Sequence, residues 1–281
     1  MTPPSSQSLS PRAWAIIVWL SAIFINVNVS GVVVLLEQQW LIAHGVSARV
    51  LKDLENSPLT TDPKWLIVNA SAVQLALLLC GIGWLWYFGL PDSLPFKRVP
   101  TRAWVGTFLV SLGALPIGGA AEELVRRTMG QELTTGLLIV RIANKSSVLE
   151  LLGLLLSVAV LPGIAEEILF RGVITRQLSR YSKLEVLVLP SVLFGLAHLE
   201  PAQAAGTMIL GLAFGFARLA TGSILPAVAA HILNNGLVLS LAFLSQEEPT
   251  PESGIEWPML LIAASVAASG VSLLTRPPLQ S

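Results

Sequence analysis

Eight stretches of mostly apolar residues, 13–36, 65–90, 103–121, 148–170, 184–199, 206–220, 223–244 and 257–274, take up more than half of the 281-residue chain. Such runs leave few folds open. A spanning helix needs about 20 largely apolar residues, and in hydrocarbon the backbone must satisfy its own N–H and C=O groups, which a helix does. The shorter runs fit if they tilt or are enclosed by neighbours. Composition agrees: 53% of residues are hydrophobic and 12% charged, with mean hydropathy +0.72, against about 25% charged in ordinary soluble domains. The expected fold is therefore all-α, a polytopic transmembrane helical bundle of about eight spans.

The formal net charge of zero provides no basic field for nucleic acid. Cys80 is the single cysteine, so no internal disulfide or zinc-thiolate pattern is available. The run 13–36 is longer than the apolar core of a signal peptide and lacks a small-residue cleavage site, so it reads as a retained first span. The chain divides into a disordered tail over 1–12, an N-terminal transmembrane region over 13–147, a motif-bearing core over 148–245, and an acidic loop with the last transmembrane helix over 246–281. Segments 49–64, 91–102 and 246–256, with their prolines and charges, read as loops. Arg12, Lys97, Arg98, Arg102, Arg171, Arg176, Arg180, Lys183, Arg218 and Arg276 fall on one side of the membrane if both termini are cytoplasmic, as expected for an integral multi-pass protein. The segment 122–147, read as a long loop, dissents with Arg126, Arg127, Arg141 and Lys145.

Within the core, Glu166, Glu167 and Arg171 interrupt an apolar run. Ionisable groups at such depth are costly and mark function unless they only pair with one another. Two of the three histidines, His198 and His231, follow in later apolar segments. Depth arithmetic brings these residues to a common level. At 1.5 Å per residue, Glu166 lies about 22 Å before the turn at Tyr181-Ser182-Lys183 and His198 about 23 Å after it. His231 and Asn235 lie roughly 13 to 20 Å beyond the next turn on the same face, Thr221-Gly222-Ser223. Periodicity assigns faces: Glu167 and Arg171 are i, i+4 and can pair, Glu166 points about 100° away, and His231 and Asn235 share a face. Phe194, one turn before His198, could wall the site. Pro162 and Gly163 should loosen the helix ahead of the glutamates. Spacing alone is weak, because Glu122-Glu123-Leu124-Val125-Arg126-Arg127 repeats the Glu-Glu-x-x-x-Arg pattern and reads as a charge cluster at a helix end.

Taken together, Glu166-Glu167-x-x-x-Arg171 with Phe170 and Gly172, Phe194-x-x-x-His198 and His231-x-x-x-Asn235 resemble the CPBP family, the group of type II CAAX prenyl endopeptidases and bacteriocin-processing or immunity proteins also called Abi. The resemblance covers roughly residues 148 to 245. It implies an intramembrane endopeptidase of about eight helices around an intramembrane polar cavity, acting on a membrane-associated peptide or protein. It also implies roles: Glu166 activates water with help from His198, Glu167 and Arg171 hold the helix and carboxylate in place, and His231 and Asn235 stabilise the substrate oxyanion. Zinc is the open cofactor. Glu166, His198 and His231 could bind it with one position free, although the chain has no His-Glu-x-x-His helix. Two further readings are a non-catalytic binding or immunity protein and, because intramembrane Glu, Arg and His also mark ion pathways, an ion-coupled transporter. The transporter reading is weakened by the lack of an inverted repeat or paired broken helices.

Overall fold

The structure is a computed structural model that describes residues 9–53, 57–89, 96–131, 134–245 and 256–276. Residues 1–8 of the expected tail and 246–255 of the expected acidic loop lie outside the described residues. Among the described residues the chain is all-helical, and seven helices are long and apolar enough to cross a membrane. These are α1 (Pro11–Ala43), α2 (Pro63–Tyr87), α3 (Thr101–Thr128), α5 (Val148–Gln177), α7 (Pro201–Thr221), α8 (Leu225–Ser245) and α9 (Trp257–Thr275). Two shorter helices of several turns are α4 (Thr135–Lys145) and α6 (Lys183–Leu196).

Local chemistry explains where the boundaries depart from the apolar runs. Helix α1 starts at Pro11 rather than 13, because the Ser10 hydroxyl accepts from Ala13 N and proline suits the first turn. Helix α3 runs on to Thr128, so 122–147 is not a long loop. Glu123 bonds Arg126 through both its oxygens and also Arg127, and this pairing lets the charged end stay helical. Thr134 then caps the amphipathic α4, whose Ile142 and Ala143 pack with Leu154 of α5 and Leu239 of α8. Within 49–64, the one-turn helices Ala48–Leu51 and Pro58–Thr61 replace a featureless loop.

The expected fifth span, 184–199, is the 14-residue α6, about 21 Å long. A capping box of Ser182 and Glu185 starts it. It stops before His198 because Pro201 forces Glu200 into an extended conformation and Leu199 turns left-handed at φ 59°. The short helix is enclosed: α7 lies antiparallel along it, α5 packs beside it, and Trp19 Nε1 of α1 donates to the Leu193 carbonyl at 2.7 Å. A core built from α1, α2, α5 and α6, with Val18, Leu77, Leu169, Phe170, Leu193 and Phe194, surrounds the charged segment.

Several basic residues gather at one end of the bundle. Arg12 pairs with Glu185 and lies 4.2 Å over the Tyr181 ring, tying the start of α1 to the start of α6. Lys97, ahead of α3, reaches the α7–α8 turn at Gly222, and Leu274 near the end of α9 packs on Gly106 near the start of α3. Arg171 does not belong with that group, since it is fully buried.

Helix α5 is irregular in a specific way. Over Leu155–Val160 and Ile168–Ile174 it is π-helical, and the N–H that follows each stretch reaches back five residues, Leu161 to the Leu156 carbonyl and Thr175 to that of Phe170; such wide turns recur at functional sites. Between them, Gly163 lets α8 come close: a Cβ there would lie 2.5 Å from Ile232 Cγ1 and 3.2 Å from Ile232 N. His231 is the neighbouring residue. Gly163→Ala should therefore push α8 off α5 and destabilise the protein by about 1–3 kcal/mol. Ile232→Ala in the same chain should recover part of that loss, both read by thermal unfolding in detergent.

Candidate active site

Helix α5 offers Glu166 and Glu167 to different neighbours. Glu167 is fully buried, and its Oε1 accepts from Arg171 Nη1 at 2.9 Å and from His231 Nδ1 at 3.0 Å. Arg171, also fully buried, donates its Nη2 to the Gly211 carbonyl of α7 at 2.8 Å. One carboxylate thus joins three helices. Gly211 makes this possible because α7 approaches α6 closely there, a Cβ meeting Ser191 Cα and Phe194 Cδ1 at 3.2 Å. The guanidinium lies 4.7 Å from the Phe194 ring and 5.5 Å from the Phe214 ring, so aromatic faces supply part of the polarity lost on burial. Glu167 Oε2 and Arg171 Nε keep no hydrogen-bond partner among the described residues.

His231 is held on both faces and at one nitrogen. Phe214 stacks on it with centroids 4.9 Å apart and Phe194 meets it edge-on at 5.8 Å. A carboxylate only accepts, so the bond to Glu167 puts a proton on Nδ1 and turns Nε2 toward Glu166. Nε2 stands 3.9 Å from Glu166 Oε2, beyond direct hydrogen-bond reach. Glu166 keeps some exposure, with its side chain 14% accessible, and its Oε1 accepts from Gln74 Nε2 of α2 at 2.9 Å.

His198 stands apart from this network. Its Nδ1 lies 3.1 Å from the Phe194 carbonyl, and its ring meets the Phe194 ring edge-on at 5.3 Å. Because a carbonyl only accepts, Nδ1 carries the proton and Nε2 is the free acceptor. Depth follows from packing. Phe170 of α5 touches Phe194 of α6; one turn farther from the 181–182 turn, α5 presents Glu166 and the chain after α6 presents His198.

Asn235 has a more local partner. Its Nδ2 donates to the Val158 carbonyl at 3.0 Å. The bond ties α8 to the backbone of α5 about one turn before Pro162, and the second amide hydrogen of Asn235 remains for another acceptor. Next to it, Asn234 is buried and its Nδ2 approaches the Ser111 carbonyl of α3 at 3.5 Å.

The donor set for zinc does not assemble. Among the described residues no three His, Cys, Asp or Glu side chains are grouped to hold one ion. Within the expected trio, the His231 and His198 Nδ1 atoms are engaged by Glu167 and by the Phe194 carbonyl, which leaves Nε2 as the ligand position of each ring.

Residues 148–237 match the family model described as type II CAAX prenyl endopeptidase Rce1-like. Over these residues the chain is similar to that family, about a third of its length. No curated protein and no solved structure matches the chain. The matched segment takes in Glu166, Glu167, Arg171, His198, His231 and Asn235 but not Gln74, which sits in the N-terminal region. With its seven long apolar helices, the chain is an integral multi-pass membrane protein. Sequence reasoning missed Gln74 and Phe214. The mid-helix glutamine in an apolar run was a usable signal; Phe214 looks like any core aromatic.

Two outcomes follow for the buried groups. Arg171→Met strands the Glu167 charge and should cost about 3–5 kcal/mol, while Glu167→Gln with Arg171→Met should cost much less. Asn235→Leu, which removes the donor to the Val158 carbonyl, should cost about 1 kcal/mol. Denaturant unfolding in detergent measures both.

Proposed function

We propose that the protein is an intramembrane endopeptidase in which Glu166 activates water to cleave a peptide bond of a membrane-associated substrate. The observation that supports this reading is the unequal treatment of two adjacent carboxylates. Arg171 and His231 occupy Glu167, whereas Glu166 meets a neutral amide and faces His231 Nε2. Glu166 also keeps 14% of its side chain accessible, so it is the carboxylate that a water can reach.

Glu166 takes a proton from water as the water oxygen attacks the scissile carbonyl carbon. His198 Nε2, its lone pair free, accepts the other water hydrogen and orients the nucleophile. The carbonyl oxygen gains negative charge, met by the free amide hydrogen of Asn235 and by a His231 imidazolium whose Nε2 proton, drawn from bulk solvent before substrate binds, is kept through the cycle. The Glu167 carboxylate is the counter-charge of that imidazolium, and such donors are worth most where water is scarce. The carbon–nitrogen bond then breaks, and Glu166 returns its proton to the leaving amine. By the positive-inside rule, the end of the bundle that gathers Arg12, Lys97 and Arg218 faces the cytoplasm.

The test uses protein reconstituted in liposomes and a quenched fluorescent peptide ending in Cys-aliphatic-aliphatic-X, supplied with and without a farnesyl group. Glu166→Gln and His198→Ala should each lower cleavage by about 100-fold or more. Equal cleavage by wild type and both variants overturns the reading.

A further inference from the structure

Helix α2 carries two amide side chains in its apolar interior, and they do different work. Asn69 joins α2 to α1: Ser30 Oγ donates to Asn69 Oδ1 at 3.2 Å, and Asn69 Nδ2 donates to the Ser30 carbonyl at 3.3 Å. That is an ordinary interhelical bond between uncharged groups. Gln74, five residues on and about 140° around the helix, points the other way, to α5, and its Nε2 donates to Glu166 Oε1 at 2.9 Å.

The packing around Gln74 fixes where that amide sits. Ile67 packs on Gly153 and Gly81 on Ile168, so α2 and α5 run parallel and touch on either side of position 74. Val73 and Leu77, which flank it, are buried in the core shared with α5. The Gln74 Oε1 atom is itself buried without a hydrogen-bond partner among the described residues. An amide in hydrocarbon with half of its capacity unused is expensive, and the bond it does make is to the carboxylate proposed as the base.

From this geometry we infer that Gln74 is a positioning residue for Glu166, contributed by the N-terminal region outside the matched segment. The inference rests on the reading of Glu166 as the base. A neutral donor orients the carboxylate through one oxygen, leaves the other directed toward His231, and adds no counter-charge. Arginine or lysine there would bind the carboxylate as Arg171 binds Glu167, and the distinction between the two glutamates would be lost. The N-terminal region is then part of the active-site wall as well as a membrane anchor.

The experiment compares Gln74→Met, which keeps length and removes the donor, with Gln74→His, which keeps a donor, and with Asn69→Val as a control on the same helix. Cleavage of the fluorescent peptide in liposomes gives kcat and KM. Gln74→Met should lower kcat by about 10- to 100-fold with KM within about threefold, since misplacing a reacting group by about 1 Å has that effect. Gln74→His should recover most of the loss. Asn69→Val should lower the Tm and leave kcat per folded molecule unchanged. An unchanged kcat in Gln74→Met, or a loss confined to KM, overturns the inference. If wild type and Glu166→Gln cleave alike, the endopeptidase reading has failed, and a thermal double-mutant cycle decides the contact. Gln74→Met and Glu166→Gln should then shift the Tm non-additively, and additive shifts overturn the inference.

Discussion

The bundle depends on one constraint: Glu167 and Arg171, both without solvent access, must be satisfied by protein. A buried charge left alone costs several kcal/mol, so the helices that supply partners cannot move independently. Arg171 needs the Gly211 carbonyl, which fixes α7 against α5. Glu167 needs His231, which fixes α8. Gly211 and Gly163 have no side chains so that these approaches can be close enough, and Phe194 and Phe214 fill the space around the guanidinium and imidazole. His231 is consequently oriented by a structural ion pair, and the orientation leaves its other nitrogen facing Glu166.

The irregularity of α5 is managed by a similar exchange. Pro162 removes an N–H in the middle of a spanning helix, where no water stands ready to replace it. The wide turns on either side redistribute the remaining bonds, and Asn235 covers the Val158 carbonyl from α8. Asn235 is thus tied to the backbone just before the glutamates as well as sharing a helix face with His231. Local disorder in hydrogen bonding is converted into a contact between the two helices that carry most of the site.

Much of this was legible in the sequence. The apolar runs located the long helices, and the i, i+4 spacing gave the Glu167–Arg171 pair, because helical periodicity holds wherever a run is long and unbroken. The Phe170–Phe194 contact agrees with depth counting from the 181–183 turn although α5 is not uniformly α-helical. What escaped depended on tertiary partners. The end of α3 reads as a charged loop until Glu123 is seen to bond both arginines. The truncation of α6 depends on the Leu199–Glu200 backbone ahead of Pro201. Asn235 offers no sign in the sequence that its donor would be spent on a carbonyl 77 residues away, and spacing likewise does not show that the Nδ1 atoms of His198 and His231 are held by the Phe194 carbonyl and by Glu167.

The placement of Glu167 and Arg171 on one helix also bears on how the protein enters the membrane. Segments are inserted as helices before their neighbours have packed, and a lone arginine or glutamate at mid-depth adds about 2.5–3.5 kcal/mol to that step. Because the two charges are one turn apart on α5, they can pair inside the inserting segment and lower that penalty before α7 and α8 exist as partners. Moving either charge to another helix could preserve the final contacts while making α5 harder to insert, so the order of membrane integration favours keeping the pair in a single stretch of chain.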